Sequence, residues 1–363
     1  MQIFYDNFMK KIRVGLIGLG FSGSLHADAY AAIKDKADLV AVCDIDKEKA
    51  EMMACCYGAK AYTDFKKMLK KEKLDAVDIC VPHHLHSGFV ITAAKAKKHV
   101  LVEKPIATTV EETEKMIEAT RKANVKFMVA EDQVHLPAHK LAKELLTKGS
   151  IGKIFMARVL SAVYDMPEDE KGWKLDPKNK GVLLDMAVHY FMLLQWLIGP
   201  IEKVNAMAES VVVEKGESDF DDNAIAVVKF QNGAIGDVSV TTVVAREPCN
   251  RLEFYGTEGT LIVDHSCEKP LMYHSVHRGM ETDGWMRPEV EHETYPGYFP
   301  LAFRNEVKYF IDCILENREP EFGGKMGLES MKVVEAAYKA VKTGKTQKVN
   351  EMREGKKKGE RYD

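Results

Sequence analysis

Residues 11–23 read KIRVGLIGLGFSG. Ile12, Val14, Leu16 and Ile17 form a short apolar run, and the β-branched character of most of them predicts a buried strand. It leads directly into Gly18-Leu19-Gly20-Phe21-Ser22-Gly23, a G-x-G-x-x-G turn, and residues 24–33 then carry a helical pattern. Strand, glycine turn and helix in that order make a dinucleotide-binding unit. Gly18 permits the tight turn, Gly20 lets a pyrophosphate approach the backbone, and Gly23 lets the helix pack on the strand. The free N–H groups at the start of the helix then face an anion.

A glycine turn alone is common and can be purely structural. The further requirement is an acidic residue ending the next strand, about 20 residues on. The next apolar run, 39–43, ends at Asp44. Its carboxylate suits the ribose hydroxyls of NAD and repels the 2′-phosphate of NADP. Ile45 and Asp46 follow, with no Arg beside them, so NAD is favoured over NADP.

The chain has 363 residues, enough for two domains. A formal net charge of -3 provides no basic field for nucleic acid or a membrane surface. No apolar run approaches the ~20 residues that cross a bilayer. The start, MQIFYDNFMKK, lacks the features of a signal peptide, and the seven scattered cysteines suit reduced residues. A cytoplasmic location is expected.

From residue 11 to about 130, strands (39–43, 74–81, 99–103, 125–130) alternate with helices (47–57, 87–97, 109–123). Such alternation predicts a parallel sheet with helices on both faces. Ligands bind at the carboxyl ends of its strands, so the residues just after each strand matter most. After 74–81 come Pro82, His83, His84 and His86. The histidines have neither i, i+4 spacing nor interleaved carboxylates or cysteines, so no metal is expected; the loop instead borders the cofactor, with His86 toward the nicotinamide. After 99–103 comes Lys104-Pro105, a lysine aimed by a stiff turn and able to move a proton if its pKa is lowered.

The second half changes character. Strands at 153–164, 204–214, 223–231, 234–245, 251–255 and 260–263 have short spacings and turn residues between them, which predicts a mostly antiparallel sheet. Residues 265–297 show no period and are expected to loop over the cleft; helices at 301–316 and 327–342 follow, then a solvated tail. Asp185 and His189 stand at i, i+4 on an expected helix start, which puts them on one face. A buried His satisfied by Asp and a catalytic His are both consistent with that spacing.

In order and spacing, these pieces resemble the Gfo/Idh/MocA (glucose–fructose oxidoreductase / inositol dehydrogenase) family. The residues that carry the likeness are Gly18–Gly23, Asp44, Pro82 with His86, Glu103-Lys104-Pro105, Ala130-Glu131 before Pro137, Gly149 to Gly152, and Asp185-x-x-x-His189. The resemblance implies an α/β protein: an N-terminal Rossmann domain with a parallel sheet (11–130), an α+β substrate-binding and oligomerisation domain on a large open sheet (131–345), and a tail (346–363). It implies hydride transfer between nicotinamide and a carbinol of a sugar, polyol or glycoside, with Lys104, Asp185 and His189 lining the active site. Lys104 is the expected proton-transfer group, and Asp185 is expected to hold the substrate or the His. Gly18, Gly20, Phe21, Ser22, Gly23, Asp44, Pro82, His86 and Glu103 are expected at the cofactor, and Trp173, Lys174 and His135 at the sugar. A homo-oligomer is expected through the exposed sheet face. The family usually has Asn at His83, often Arg at Val134, and Gly at Ala187, so contacts around the nicotinamide and substrate should differ here. Two other functions fit the same motifs: a glycosidase using NAD transiently, recognisable by release of free sugar without net NADH, and a non-catalytic NAD sensor, which the three polar residues argue against.

Overall fold

The structure, a computed structural model, describes residues 11–165, 173–211, 220–244 and 248–350. The N-terminal extension, the tail beyond 350 and the far ends of the strands expected to reach 214 and 245 lie outside the described residues.

Six strands form the first sheet: β1 (Ile12–Ile17), β2 (Ala37–Cys43), β3 (Lys60–Tyr62), β4 (Ala76–Ile79), β5 (His99–Glu103) and β6 (Phe127–Ala130). Their order is β3-β2-β1-β4-β5-β6 and every pairing is parallel. Strands β4 and β6 are buried at every residue, as their unbroken apolar patterns require when both faces of a parallel sheet are covered. The chain reverses its winding between β1 and β4, the crevice where such sheets take ligands.

The helices of this half are α1 (Phe21–Ala32), α2 (Lys47–Tyr57), α3 (Phe65–Lys71), α4 (His86–Lys95) and α5 (Val110–Ala123). Asp46, Asp64 and Thr109 cap α2, α3 and α5 by accepting first-turn N–H groups. Helix α1 starts at Gly20 with no side-chain cap and no acidic residue in its first turn, so its N–H groups remain open to an anion.

The second half contains α6 (Pro137–Thr147), β7 (Ile154–Ala162), α7 (Val182–Asp185), α8 (Ala187–Leu197), β8 (Ile201–Glu209), β9 (Asn223–Phe230), β10 (Ile235–Thr241), β11 (Cys249–Gly256), β12 (Gly259–Asp264), β13 (Leu271–Ser275), α9 (Phe299–Leu315), α10 (Gly324–Thr343) and β14 (Gln347–Lys348). Eight strands order as β13-β12-β11-β7-β10-β9-β8-β14. Among the described residues of this sheet, only β7 and β10 pair in parallel. Burial alternates along β9 and β10, so one face packs on the core and the other lies open.

Two expectations change. The aperiodic stretch 265–297 contains β13, which extends the sheet by pairing with β12. Helix α9, counted by sequence with the second half, packs instead on the first sheet. Its Val307, Phe310 and Ile311 join Ile12, Val14, Leu101, Met128 and Tyr30 in one apolar cluster.

Candidate active site

The glycine turn fits a bound pyrophosphate. Gly18 has φ +85°, and a Cβ there would lie 2.3 Å from the Cys80 carbonyl oxygen. A Cβ on Gly23 would lie 2.0 Å from the Gly18 carbonyl oxygen, whereas one on Gly20 would meet nothing within 4 Å. Gly18 and Gly23 therefore shape the turn, and Gly20 opens it to a ligand. Asp44 Oδ2 accepts the Leu19 N–H at 2.8 Å, which anchors the acidic residue to the turn. Ile45 beside it is 96% exposed. Phe21 projects from the start of α1 and meets the edge of Phe299 at 5.7 Å.

At the carboxyl end of β5, the Lys104 ammonium donates to Asp185 twice, to Oδ1 at 2.7 Å and to the backbone oxygen at 2.8 Å. Burial would lower the lysine pKa, but the charges of Asp185 and Glu103 overcome it and hold the ammonium protonated. Burial likewise opposes the Asp185 charge, and Lys104 and Lys174 reverse that, keeping its carboxyl well below the usual range. Lys174 bridges Asp165 at 2.5 Å and Asp185 at 3.6 Å. Trp173 meets the edge of the His83 ring at 4.9 Å, and burial pushes His83 down to about 3, so it is neutral.

Asp185 and His189 do not share one helix. Asp185 ends α7, the helix breaks at Met186, and His189 stands in the first turn of α8. Instead of meeting Asp185, His189 Nδ1 lies 2.6 Å from Glu131 Oε1, with Asp132 Oδ1 at 3.7 Å. Burial and Lys104 lower its pKa, yet Glu131, backed by Asp132, raises it overall. Burial, with Glu131 beside it, pushes the Asp132 carboxyl up to about 6, although His189 opposes the shift. Asp132 is a site residue the motifs did not single out, and Glu131, part of the Ala130-Glu131 motif, was given no role by them. The available signal was position: both directly follow the buried strand β6, where ligand-facing residues gather.

Three expected contacts are corrected. His86 is fully buried, with Nδ1 2.9 Å from the Pro105 oxygen and Nε2 2.7 Å from the Val81 oxygen. It ties the loop after β4 to the Lys104-Pro105 turn and has no ring nitrogen left for the cofactor. Glu103 also works from beneath: Oε1 lies 3.2 Å from His26 Nε2, and Oε2 accepts the Lys104 N–H at 3.0 Å. His26 in turn bonds Asp78 at 2.7 Å, so a buried charged chain supports the lysine turn. His135 is 1% exposed and packs against Tyr309 and Phe322 at 5.0 and 5.4 Å. It lies in the core between the Asp132–His135 turn and α9. Val134, where the family often has Arg, is also fully buried.

A parallel nucleotide-binding sheet, an uncapped glycine turn and a charged polar cluster beyond it define a two-domain nicotinamide oxidoreductase. Residues 12–131 match the family model described as "Oxidoreductase family, NAD-binding Rossmann fold", and residues 139–262 match the GFO/IDH/MocA C-terminal domain. Levoglucosan dehydrogenase of Pseudarthrobacter phenanthrenivorans is 31% identical over 290 residues, covering 71% of this chain and 74% of the relative. Myo-inositol 2-dehydrogenase of Thermotoga maritima is 28% identical over 346 residues, 94% of this chain and 99% of that one. The solved levoglucosan dehydrogenase complex with NADH and levoglucosan superposes with a TM-score of 0.85 at 25% identity, covering 94% of this chain and 100% of that one. The chain belongs to the Gfo/Idh/MocA family, and its cofactor is NAD.

Proposed function

We propose that the protein oxidises a carbinol of a sugar, polyol or glycoside, with the hydroxyl seated between Lys104 and His189. The observation that carries this reading is the pairing of a fixed ammonium, Lys104 on Asp185, with an imidazole fixed by Glu131. The relatives that act on levoglucosan and myo-inositol support the substrate class. NAD, when bound, supplies the hydride acceptor.

The division of roles differs from the sequence expectation. A lysine held charged by Asp185 has no lone pair with which to take a proton, so Lys104 donates a hydrogen bond to the substrate oxygen and stabilises the charge developing there. His189 has its Nδ1 engaged and accepts the hydroxyl proton at Nε2. Trp173, 43% exposed, offers an apolar face to the sugar ring, with Lys174 beside it for hydroxyl groups. Gly20, Phe21, Ser22, Asp44 and Pro82 border the dinucleotide.

The test is absorbance at the reduced-nicotinamide band when purified protein and NAD meet levoglucosan, myo-inositol and a panel of sugars, polyols and glycosides. Growth of that band with one or more of them is expected. Free sugar released without net reduction would overturn the reading in favour of glycoside cleavage, and inertness across the panel in favour of an NAD sensor.

The open face of the second sheet supports a homo-oligomer. Leu160, Met207, Ile225, Val227 and Ile235 are all exposed large apolar residues on its strands. An apolar sheet face of this kind suits a contact between copies. Light scattering after size exclusion should report more than one chain, and Val227→Glu should lower the mass; a monomeric wild type would refute the assignment.

A further inference from the structure

His189 and Glu131 come from different parts of the fold. Glu131 follows β6 of the nucleotide-binding sheet, while His189 begins α8 beneath the second sheet. Their 2.6 Å contact therefore crosses between the two halves of the molecule. Glu131 is completely buried, and its second carboxylate oxygen, Oε2, has no hydrogen-bond partner. A buried carboxylate in that state is costly unless a cation compensates it. The charged groups acting on the His189 ring are Glu131 and Asp132 after β6, and Glu103 and Lys104 at the end of β5. The imidazole Nδ1 thus faces the carboxylates of Glu131 and Asp132, at 2.6 and 3.7 Å, within the field of the Lys104 ammonium.

We propose that Glu131 and His189 act as a dyad assembled from both halves of the chain, Glu131 being a positioning residue that holds the Nδ1–H and leaves Nε2 to take the substrate proton. The inference rests on the oxidation reading above and adds a residue to it. A carboxylate accepts hydrogen bonds only, so Glu131 selects the tautomer protonated at Nδ1. During oxidation the substrate O–H bond breaks and its proton forms an N–H bond at Nε2. The C–H electron pair leaves as hydride for the nicotinamide, so the carbinol loses two electrons and NAD gains them. Glu131 remains a carboxylate throughout, and the imidazolium formed beside it compensates its charge. The proton then leaves Nε2 for solvent after product release. Asp185, by contrast, spends its carboxylate on Lys104, so the aspartate of the D-x-x-x-H pattern serves the donor and Glu131 serves the base.

The test needs no substrate. Protein labelled with ¹⁵N-histidine, with NADH bound, is titrated by NMR, and the His189 signals are assigned by their loss in His189→Asn. In the wild type the neutral ring should carry its proton on Nδ1 and titrate above the ordinary histidine value. Glu131→Gln keeps the shape but loses the charge, and should move that titration down by about one pH unit or more. Glu131→Asp should restore most of the shift. The other histidine signals should stay in place, which shows that the variants are folded. An unchanged titration in Glu131→Gln, or a neutral ring protonated on Nε2, overturns the dyad. If the sugar panel yields no reduced nicotinamide while the titration moves as stated, the oxidation reading fails and the dyad stands.

Discussion

The Lys104 ammonium is bound to both the carboxylate and the carbonyl oxygen of Asp185, at 2.7 and 2.8 Å, across 81 residues of sequence. This double hold fixes the lysine as a cation aimed from the β5 edge. Replacing it by a neutral chain of similar shape removes the charge that, in the proposed reaction, acts when the substrate oxygen becomes negative. Lys104→Met should lower kcat by about 10²-fold or more with a much smaller change in KM. Asp185→Asn should lower kcat less, since Glu103 still favours the ammonium and the backbone oxygen of residue 185 still holds it. Steady-state kinetics on the substrate identified by the sugar panel decides it. A Lys104→Met variant altered only in KM contradicts the role.

The glycine turn separates binding from folding. Gly20→Ala places a methyl in open space, so the melting temperature should stay at the wild-type value while NAD binds more weakly. Gly23→Ala places a methyl 2.0 Å from the Gly18 carbonyl oxygen, so α1 must shift and the melting temperature should fall as well. Thermal unfolding with and without NAD, together with fluorescence titration of NADH, measures both. Equal melting temperatures in the two variants would refute the distinction.

Asp44 should control cofactor choice. It accepts the Leu19 N–H beside the glycine turn, and in the proposed cofactor site its charge repels a 2′-phosphate. Asp44→Ala should weaken NADH binding about tenfold, the worth of a charge-assisted hydrogen bond, and raise relative affinity for NADPH. Titration with each reduced cofactor reads the ratio, which an electrostatic filter requires to change.

The buried His26 chain makes stability pH-dependent. Burial opposes its charge, but Asp78 and Glu103 raise its pKa well above the ordinary value. A group raised on folding contributes stability that is full below its unfolded value, about 6.5, and is lost as pH rises through the folded value. His26→Gln should cost about 3–5 kcal/mol at neutral pH, the typical result of breaking a buried pair. The gap from wild type should narrow toward alkaline pH. Denaturant unfolding at several pH values measures it, and a gap that widens with pH would reverse the assigned charge state.

The nucleotide-binding half was legible because its signals are local. A buried parallel strand needs an unbroken apolar run, and a tight turn against Cys80 needs glycine at a positive φ. The run 47–57 coincides with α2, since Asp46 caps its start and Gly58 in the left-handed region ends it. The i, i+4 spacing of Asp185 and His189 misled because a break at Met186 divides the helix, and nothing in the local pattern marks that break.

What the sequence alone determined is the order of elements, NAD as the cofactor, and as candidates Gly18–Gly23 with Asp44 for its site and Lys104, Asp185 and His189 for the polar cluster. What the tertiary structure decided is their partners. Glu131 meets His189 across 58 residues, His135 and His86 turn inward, and α9 returns to cover the first sheet. Periodicity reports which face of an element is buried, but hydrogen bonds between polar side chains depend on how separate elements pack. That information is absent from any short window of the chain.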